Sequence, residues 1–398
     1  MSLNAKALLE AVTAIGSLSC LAFYGLSMCG VASFLKERKR LHQQPRSPHT
    51  PGISILKPLK GIDPAMWDGF RSHCEQHYPE YELIFGVSDP ADPAIAFVKR
   101  LQQEYPHRNI QLVVADQLLG ANTKVSTLAQ MLPSARYEIL FVNDSDIRVD
   151  PDYLPRIVAP LADSSTGLVT CLYRGIAARS LGSRLEALGI STDFAPGVLS
   201  ARFIERTLRF GLGSTLAFRR NDLAAIGGFE ALADYLADDY ELGRRIASLG
   251  RLVELSDVVV ETFLPEYSFG GFLAHQLRWS RTIRDARRWG YVGLLFTFGL
   301  PWAIAMLLAA GGAAWAWLLF ALVLAARLTV ALLTSLAVLH DRRILRDLFL
   351  LPLRDLLAPI VWAISFAGNQ ISWRGERFSL KSGRLERIPP NGDQNLVR

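Results

Sequence analysis

Val142-Asn143-Asp144-Ser145-Asp146-Ile147 places two carboxylates, one residue apart, directly after the apolar run at 137–142. That run is short, continuous and rich in β-formers, as expected of a strand buried on both faces of a parallel sheet. Carboxylates leaving the carboxyl end of such a strand stand where open α/β sheets bind their ligands. They are costly there unless something cationic pairs with them. Hard oxygens suit magnesium or manganese, the divalent ions that accompany a nucleotide diphosphate. The same pair also reads as a solvated turn capping the next helix, so the surrounding sequence has to decide.

Outward from this stretch, strands and helices alternate. Residues 53–56, 81–87, 110–114 and 137–142 read as strands, and 65–77 and 94–104 as helices. Later strands are expected at 167–172, 214–218 and 257–262. Such alternation predicts an α/β fold, Rossmann-like, with a mainly parallel sheet, over residues 50–265. A linker at 42–52 carries Pro45, Pro48 and Pro51 ahead of it.

The chain has 398 residues, 50% of them apolar, and the excess lies at its two ends. Residues 11–35 contain no charge and lack an early basic region and a cleavage site, which predicts a transmembrane anchor at 8–35. Lys36-Glu37-Arg38-Lys39-Arg40 follows, so positive-inside bias puts the amino terminus outside and the next domain in the cytoplasm. A transmembrane hairpin is expected at 291–339, turning at Gly311-Gly312, with Arg284, Arg287 and Arg288 before it and Arg342, Arg343 and Arg346 after it. Arg327 within its second arm either faces a polar cavity, is paired, or snorkels. The apolar segment at 347–368 is interrupted by Pro352, Arg354, Asp355 and Pro359 and reads as broken, re-entrant or interfacial. A full crossing there would carry the basic tail at 369–398 outside. Net charge is +6, and the basic residues flank apolar segments, which points to a lipid bilayer rather than nucleic acid. Cys20, Cys29, Cys74 and Cys171 have neither metal-ligand spacing nor a disulfide framework. Nothing in the pattern specifies an oligomeric state.

Four further stretches carry chemistry. Val87-Ser88-Asp89-Pro90-Ala91-Asp92-Pro93 ends the second strand, where Asp89 and Asp92 either accept hydrogen bonds from a base or ribose or start a helix. Gly120-Ala121-Asn122-Thr123-Lys124 opens a helix, so Lys124 either approaches a diphosphate or is a surface lysine. Asp238-Asp239, before Tyr240-Glu241, reads as a helix cap or as a general base held near an acceptor hydroxyl. His275-Gln276-Leu277-Arg278-Trp279 begins a basic amphipathic stretch within 266–290 that reads as an interfacial helix, with Arg278 and Trp279 assigned to the active site. The segment at 189–210, with Phe194, Leu199, Phe203, Ile204 and Phe210, is either an acceptor route or ordinary core.

Taken in order, these motifs resemble the inverting family-2-like glycosyltransferases, and more closely the ceramide glucosyltransferase family and its bacterial relatives, including those of hopanoid biosynthesis. Ile55-Leu56-Lys57-Pro58-Leu59-Lys60-Gly61-Ile62-Asp63-Pro64, Asp92-Pro93-Ala94-Ile95, Asp144-Ser145-Asp146-Ile147-Arg148-Val149 and Ile371-Ser372-Trp373-Arg374 match the family in sequence order. The resemblance implies a GT-A domain using a UDP-sugar donor, with a divalent Mg2+ or Mn2+ held by Asp144 and Asp146. It implies donor contacts from Asp89, Asp92, Lys124, Asp144, His275, Arg278 and Trp279. It also implies Asp239 as base, with Asp238 raising its pKa. The acceptor would be a membrane lipid hydroxyl at the cytoplasmic leaflet of a cell inner membrane that the chain crosses several times. The Ala-, Leu- and Arg-rich composition favours a hopanoid polyol receiving N-acetylglucosamine over ceramide receiving glucose. The family's last motif usually opens with Gln or Arg three residues before Arg-Trp, and here that place is His275. A processive polysaccharide synthase would need more helices for its pore, and a non-catalytic UDP-sugar sensor has only the His275 departure in its favour.

Overall fold

Strand β1 (Ile53–Leu59) is buried at all seven positions and lies between β2 (Tyr81–Val87) and β4 (Ile139–Val142), parallel to both. The computed structural model describes residues 3–43, 50–373 and 375–388, so Pro45 and Pro48 of the expected linker, Arg374 and the last part of the expected tail lie outside the described residues. The chain divides into two compact units. A sheet unit comprises residues 41–178, 205–265 and 372–398, and a helical unit comprises 1–40, 179–204 and 266–371.

In the sheet unit, eight strands run in the order β3-β2-β1-β4-β7-β6-β8-β5. The strands not yet given are β3 (Asn109–Val114), β5 (Ile147–Arg148), β6 (Thr166–Ile176), β7 (Leu216–Arg219) and β8 (Leu252–Phe263). The first four in that order are parallel, and β7 reverses direction between β4 and β6. Helices α2 (Met66–Cys74), α3 (Ala94–Glu104), α4 (Thr123–Met131), α5 (Tyr153–Val158), α8 (Arg220–Ala225) and α9 (Asp238–Ser248) complete the α/β pattern. Three strands clearly outrun their sequence reading, β1 continuing through Lys57 to Leu59, β6 running on to Ile176 and β8 starting at Leu252. Polar residues such as Lys57 and Ser256 are buried in them and interrupt the apolar run without ending the strand.

The segment expected as a plain basic tail is instead a three-stranded sheet, in the order β11-β10-β9, of β9 (Gln370–Trp373), β10 (Glu376–Lys381) and β11 (Arg384–Arg387). Ser382 and Gly383 both take positive φ, 53° and 79°, and close the β10–β11 hairpin. Phe378, Leu380 and Leu385 are buried between polar and charged residues, a period of two that the net charge obscures. This hairpin is tied to the rest of the sheet unit by main-chain bonds, Leu385 N–H to the Asp234 carbonyl at 2.7 Å and Leu236 N–H to the Gly383 carbonyl at 3.4 Å.

The helical unit contains α1 (Leu3–Gln43), α6 (Leu181–Gly189), α7 (Ala195–Glu205), α10 (Phe269–Ala286), α11 (Arg288–Gly293), α12 (Gly299–Ala309), α13 (Ala314–Leu332), α14 (Ile344–Asp347) and α15 (Leu351–Ser365). A π-turn at Ile190–Phe194 joins α6 to α7. Small residues let α1 meet α12 closely. A Cβ on Gly16 would meet the Trp302 ring at 2.3 Å, and one on Gly299 would meet the Tyr24 hydroxyl at 2.3 Å. Arg38 donates to the carbonyls of Val338 at 3.1 Å and Ala337 at 2.6 Å, so the end of the α13 segment lies level with the basic end of α1.

Among the described residues, three helices are long and apolar enough to cross a membrane: Asn4–Gln43, Ala314–Val338 and Ile344–Ser365. The expected first arm of the hairpin is not straight, since Arg288–Thr297 and Gly299–Ala309 meet at 52°. Pro301 explains the break, because a residue without N–H is accommodated in the first turn of a helix and not in its middle. Conversely, α15 runs unbroken past Pro359. Pro352 sits in its first turn, and its charged residues Arg354 and Asp355 are ion-paired with Asp193 and Arg327. Arg354 donates to Gln276 of α10 at 2.7 Å, and Arg284 donates to the carbonyls of Ser365 and Gly368, so α15 lies along α10. In the 189–210 segment Leu199 is core, whereas Phe203 and Ile204 are exposed.

Arg327 is 4% exposed and paired. It donates to Asp355 Oδ1 at 2.6 Å, Asp193 Oδ1 at 2.7 Å and the Thr192 carbonyl at 2.6 Å. Removing one partner leaves buried charge uncompensated, so Arg327→Leu should destabilise the detergent-solubilised protein by about 3–5 kcal/mol, and the double change with Asp355→Leu should recover part of that loss. Thermal unfolding of the three proteins checks this. An unchanged melting temperature in Arg327→Leu would show that the network carries no stability.

Candidate active site

The start of α4 is built by Asn122. Its Oδ1 accepts from Val125 N–H at 3.2 Å, capping the helix, while its Nδ2 donates to the Tyr235 carbonyl at 2.7 Å. One residue thus ties the α4 turn to the loop that enters α9. Lys124, in that first turn, points its ammonium between two carboxylates, 2.9 Å from Asp144 Oδ1 and 3.1 Å from Asp238 Oδ2. Burial opposes its charge, yet Asp144, Asp238 and Asp239 together hold its pKa above the ordinary lysine value. Gly213 reports where the other oxygens lie. A Cβ there would stand 3.1 Å from Asp239 Oδ2 and 3.2 Å from Asp144 Oδ2. A side chain at 213 would therefore crowd both carboxylates.

Asp239 accepts from Tyr240 N–H at 2.8 Å. Burial and then the charge of Asp238 push its pKa up to about 6, against the pull of Lys124. Asp146 is likewise pushed up to about 6 by burial and by Asp144, while Thr262 Oγ1 donates to its Oδ2 at 2.6 Å. Below them lies Lys57, fully buried, donating to the Asp144 carbonyl at 2.9 Å. Burial brings its pKa down to about 7, although Asp144 and Asp146 oppose this. Ser145 donates to Asp63 in the loop after β1. Lys57 and Asp63 are site neighbours that stand in the opening family motif but were given no role there. The available signal was a cation in the middle of the apolar run Ile53-Ser54-Ile55-Leu56-Lys57.

Asp92 is buried and uses both oxygens on the backbone, accepting from Ala94 N–H and from Gly61 N–H, each at 2.9 Å. It caps α3 and fixes the loop after β1, the helix-start alternative of its sequence reading. Asp89 accepts from Ala91 N–H at 2.8 Å, an Asx-type turn. The structure thus brings Lys124, Asp144, Asp238 and Asp239 into one cluster with Asp146 close to Asp144, and sets Asp89 and Asp92 in the loop between β2 and α3.

His275, Arg278 and Trp279 form a second group, on α10 of the helical unit. His275 Nδ1 lies 3.2 Å from Arg278 Nη2 and 3.3 Å from the Tyr267 hydroxyl, and its Nε2 lies 3.5 Å from Glu186 Oε1. Trp279 meets Phe194 of the π-turn edge-on at 6.3 Å. Glu186 is buried within α6, and burial alone would raise its pKa. Its bonds to His275 and Gln276 and the charge of Arg354 outweigh this and hold it below the ordinary value. Glu186 had a sequence signal too, as the one carboxylate in Leu181–Gly189.

Among the described residues no group of three or more His, Cys, Asp or Glu side chains is placed to hold a metal by itself. The chemistry of Asp144 and Asp146 nevertheless fits a Mg2+ or Mn2+ ion that takes its remaining ligands from water and a diphosphate. Burial first and then the charge of Asp144 raise the Asp146 pKa, and a bound cation would oppose both. Mn2+ added with UDP at about a hundred times its Kd should stabilise the protein by about 2.7 kcal/mol, and Asp146→Asn should lose that stabilisation. Thermal unfolding with and without Mn2+ reads the difference, and an equal response from the variant would remove Asp146 from the metal site.

The family described as glycosyl transferase family 21 matches residues 17–386. Ceramide glucosyltransferase 3 of Caenorhabditis elegans is 24% identical over 273 residues, which is 68% of this chain and 59% of that protein. Ceramide glucosyltransferase of Komagataella phaffii is 33% identical over 144 residues, 35% of this chain and 27% of that one. The chain thus spans at most 59% of the length of these curated relatives. A mannosyltransferase from Pyrobaculum calidifontis, solved in complex with GDP-Man and Mn2+, superposes with a TM-score of 0.53 at 20% identity, covering 90% of this chain and 97% of that one. That likeness shows a GT-A-type fold. With the family match covering most of its length, the chain belongs to glycosyl transferase family 21.

Proposed function

We propose that this protein is a membrane-bound hexosyltransferase that transfers a sugar, with inversion, from a UDP-sugar to the hydroxyl of a membrane lipid. The observation that carries the reading is the Lys124 ammonium held between Asp144 and Asp238, beside an Asp239 carboxylate whose pKa is raised to about 6. That arrangement offers fixed positive charge for a departing diphosphate and a base of matched strength for an alcohol.

In the proposed reaction the acceptor oxygen attacks the anomeric carbon on the side opposite UDP. Asp239 takes the hydroxyl proton, the new glycosidic C–O bond forms, and the bond from the anomeric carbon to the diphosphate oxygen breaks, its electron pair leaving with UDP. Lys124 stabilises that charge, a role the family motif gives to Arg278 as well, and Asp238 holds Lys124 in place as well as raising the basicity of Asp239. When bound by Asp144 and Asp146, a divalent ion supplies Lewis-acid charge at the diphosphate. Asp89 and Asp92 shape the uridine end, Asp92 through the backbone it fixes, and the family motif gives His275 and Trp279 of α10 a part in donor binding.

The relatives' names support ceramide and glucose as substrates, and the Ala-, Leu- and Arg-rich composition supports a hopanoid polyol and N-acetylglucosamine. The topology proposed is an anchor in α1, a hairpin with one broken arm over 288–338, and an interfacial α14–α15 segment. Main-chain bonds between the β10–β11 hairpin and Asp234–Leu236 call for an even number of crossings after residue 265, which one hairpin supplies. Positive-inside bias puts that shared side in the cytoplasm of a cell inner membrane.

UDP release from protein in lipid nanodiscs, with UDP-glucose or UDP-N-acetylglucosamine against ceramide or hopanoid polyol, identifies the pairing. Asp239→Asn should lower kcat by about a thousandfold and leave UDP affinity intact. The wild-type rate should fall about tenfold per unit as pH drops below the Asp239 pKa of about 6, because the protonated carboxyl cannot accept the hydroxyl proton. Collapse of UDP affinity in Asp239→Asn, or a flat profile through that range, would remove Asp239 as the base. For the topology, single cysteines at Ala313→Cys and Glu386→Cys in a cysteine-free background should react with an impermeant maleimide from opposite sides of membrane vesicles. Labelling of both from one side would overturn it.

A further inference from the structure

The place where the family motif departs from its usual residue is also where a buried carboxylate meets the motif. Arginine can only donate hydrogen bonds. The 3.2 Å approach of Arg278 Nη2 to His275 Nδ1 therefore requires a lone pair on Nδ1. In a neutral imidazole the proton then resides on Nε2, the nitrogen that faces Glu186 Oε1 at 3.5 Å. Glu186 is itself held on its other side. Gln276 Nε2 donates to its Oε2, and the Gln276 oxygen accepts from Arg354 Nη1 at 2.7 Å. Arg354 in turn lies 3.2 Å from Asp193. The carboxylate is 7% exposed and sits on α6, whereas the residues it orients sit on α10.

We propose that Glu186 is a positioning residue that holds His275 in its Nε2–H tautomer, so that the Nδ1 lone pair fixes the Arg278 guanidinium. In this chain the pair of Glu186 and His275 does the orienting that the usual Gln or Arg at the motif's first place would have to do otherwise. The inference rests on the reading of Arg278 as a cation acting on the departing diphosphate. Its consequence is a transition-state effect. An Arg278 that loses its His275 contact lowers kcat, while donor KM stays unchanged.

The test uses the full chain in nanodiscs and the UDP-release assay. Arg278→Ala should lower kcat by about a hundredfold. Glu186→Gln, which puts an amide NH2 in place of one of the two oxygens that face His275 and Gln276, should lower kcat by about tenfold without changing donor KM. In the Arg278→Ala background Glu186→Gln should have no further effect, because the residue it acts through is gone. His275→Asn keeps an acceptor oxygen at the Nδ1 place and should retain more kcat than His275→Gln, whose amide reaches the Nε2 place instead. Multiplicative losses in the Glu186→Gln/Arg278→Ala double variant would overturn the positioning role, as would His275→Gln outperforming His275→Asn. Full activity in Arg278→Ala would instead sink the assignment of Arg278 on which the inference stands.

Discussion

The sheet unit's site is organised around one ammonium group shared by two carboxylates. Lys124 comes from the turn that opens α4, Asp144 from the end of β4 and Asp238 from the start of α9. Each of the three loops is separately pinned: by Asn122 to Tyr235, by Lys57 to the Asp144 carbonyl, and by the β10–β11 hairpin to Asp234 and Leu236. The pinning matters because the carboxylates repel one another. Asp144, Asp146, Asp238 and Asp239 crowd one end of the sheet, and only a backbone held by its own hydrogen bonds keeps them there.

The helical unit handles charge differently. Arg327, Arg354, Asp193 and Asp355 form a balanced set of two cations and two anions, linked by Gln276 to Glu186 and His275. Isolated, any of these groups would be expensive among apolar helices. Joined, they satisfy one another and lock α6, α10, α13 and α15 at defined places. The chain of bonds reaches Arg278, so the same contacts that make the charges tolerable also bear on the direction of a side chain proposed to act in the chemistry.

The tail shows how a local pattern can be hidden by a global one. Residues 376–387 are rich in Arg, Lys and Glu, and charge dominated their reading. The alternation of Phe378, Leu380 and Leu385 with polar and charged residues is nevertheless that of a hairpin with one buried face. Its partner is the 234–236 loop, over a hundred residues away in sequence, and no local signal names a partner at that distance.

By itself the sequence determined the α/β alternation, the parallel strands at 81–87 and 139–142, the apolar ends and the order of acidic motifs. Each of these depends on hydrophobic period or on residue type at short spacing, and both are written along the chain. Only tertiary structure decided that Asp92 is a cap, that Lys57 lies buried under Asp144, that Arg327 is paired, and that α12 bends away at Phe298 while α15 passes Pro359 unbroken. It alone joined Lys124 to Asp238 and His275 to Glu186. Those pairings link residues roughly ninety or more positions apart, and their energies come from burial and from the exact placing of a few polar atoms, neither of which a linear pattern contains.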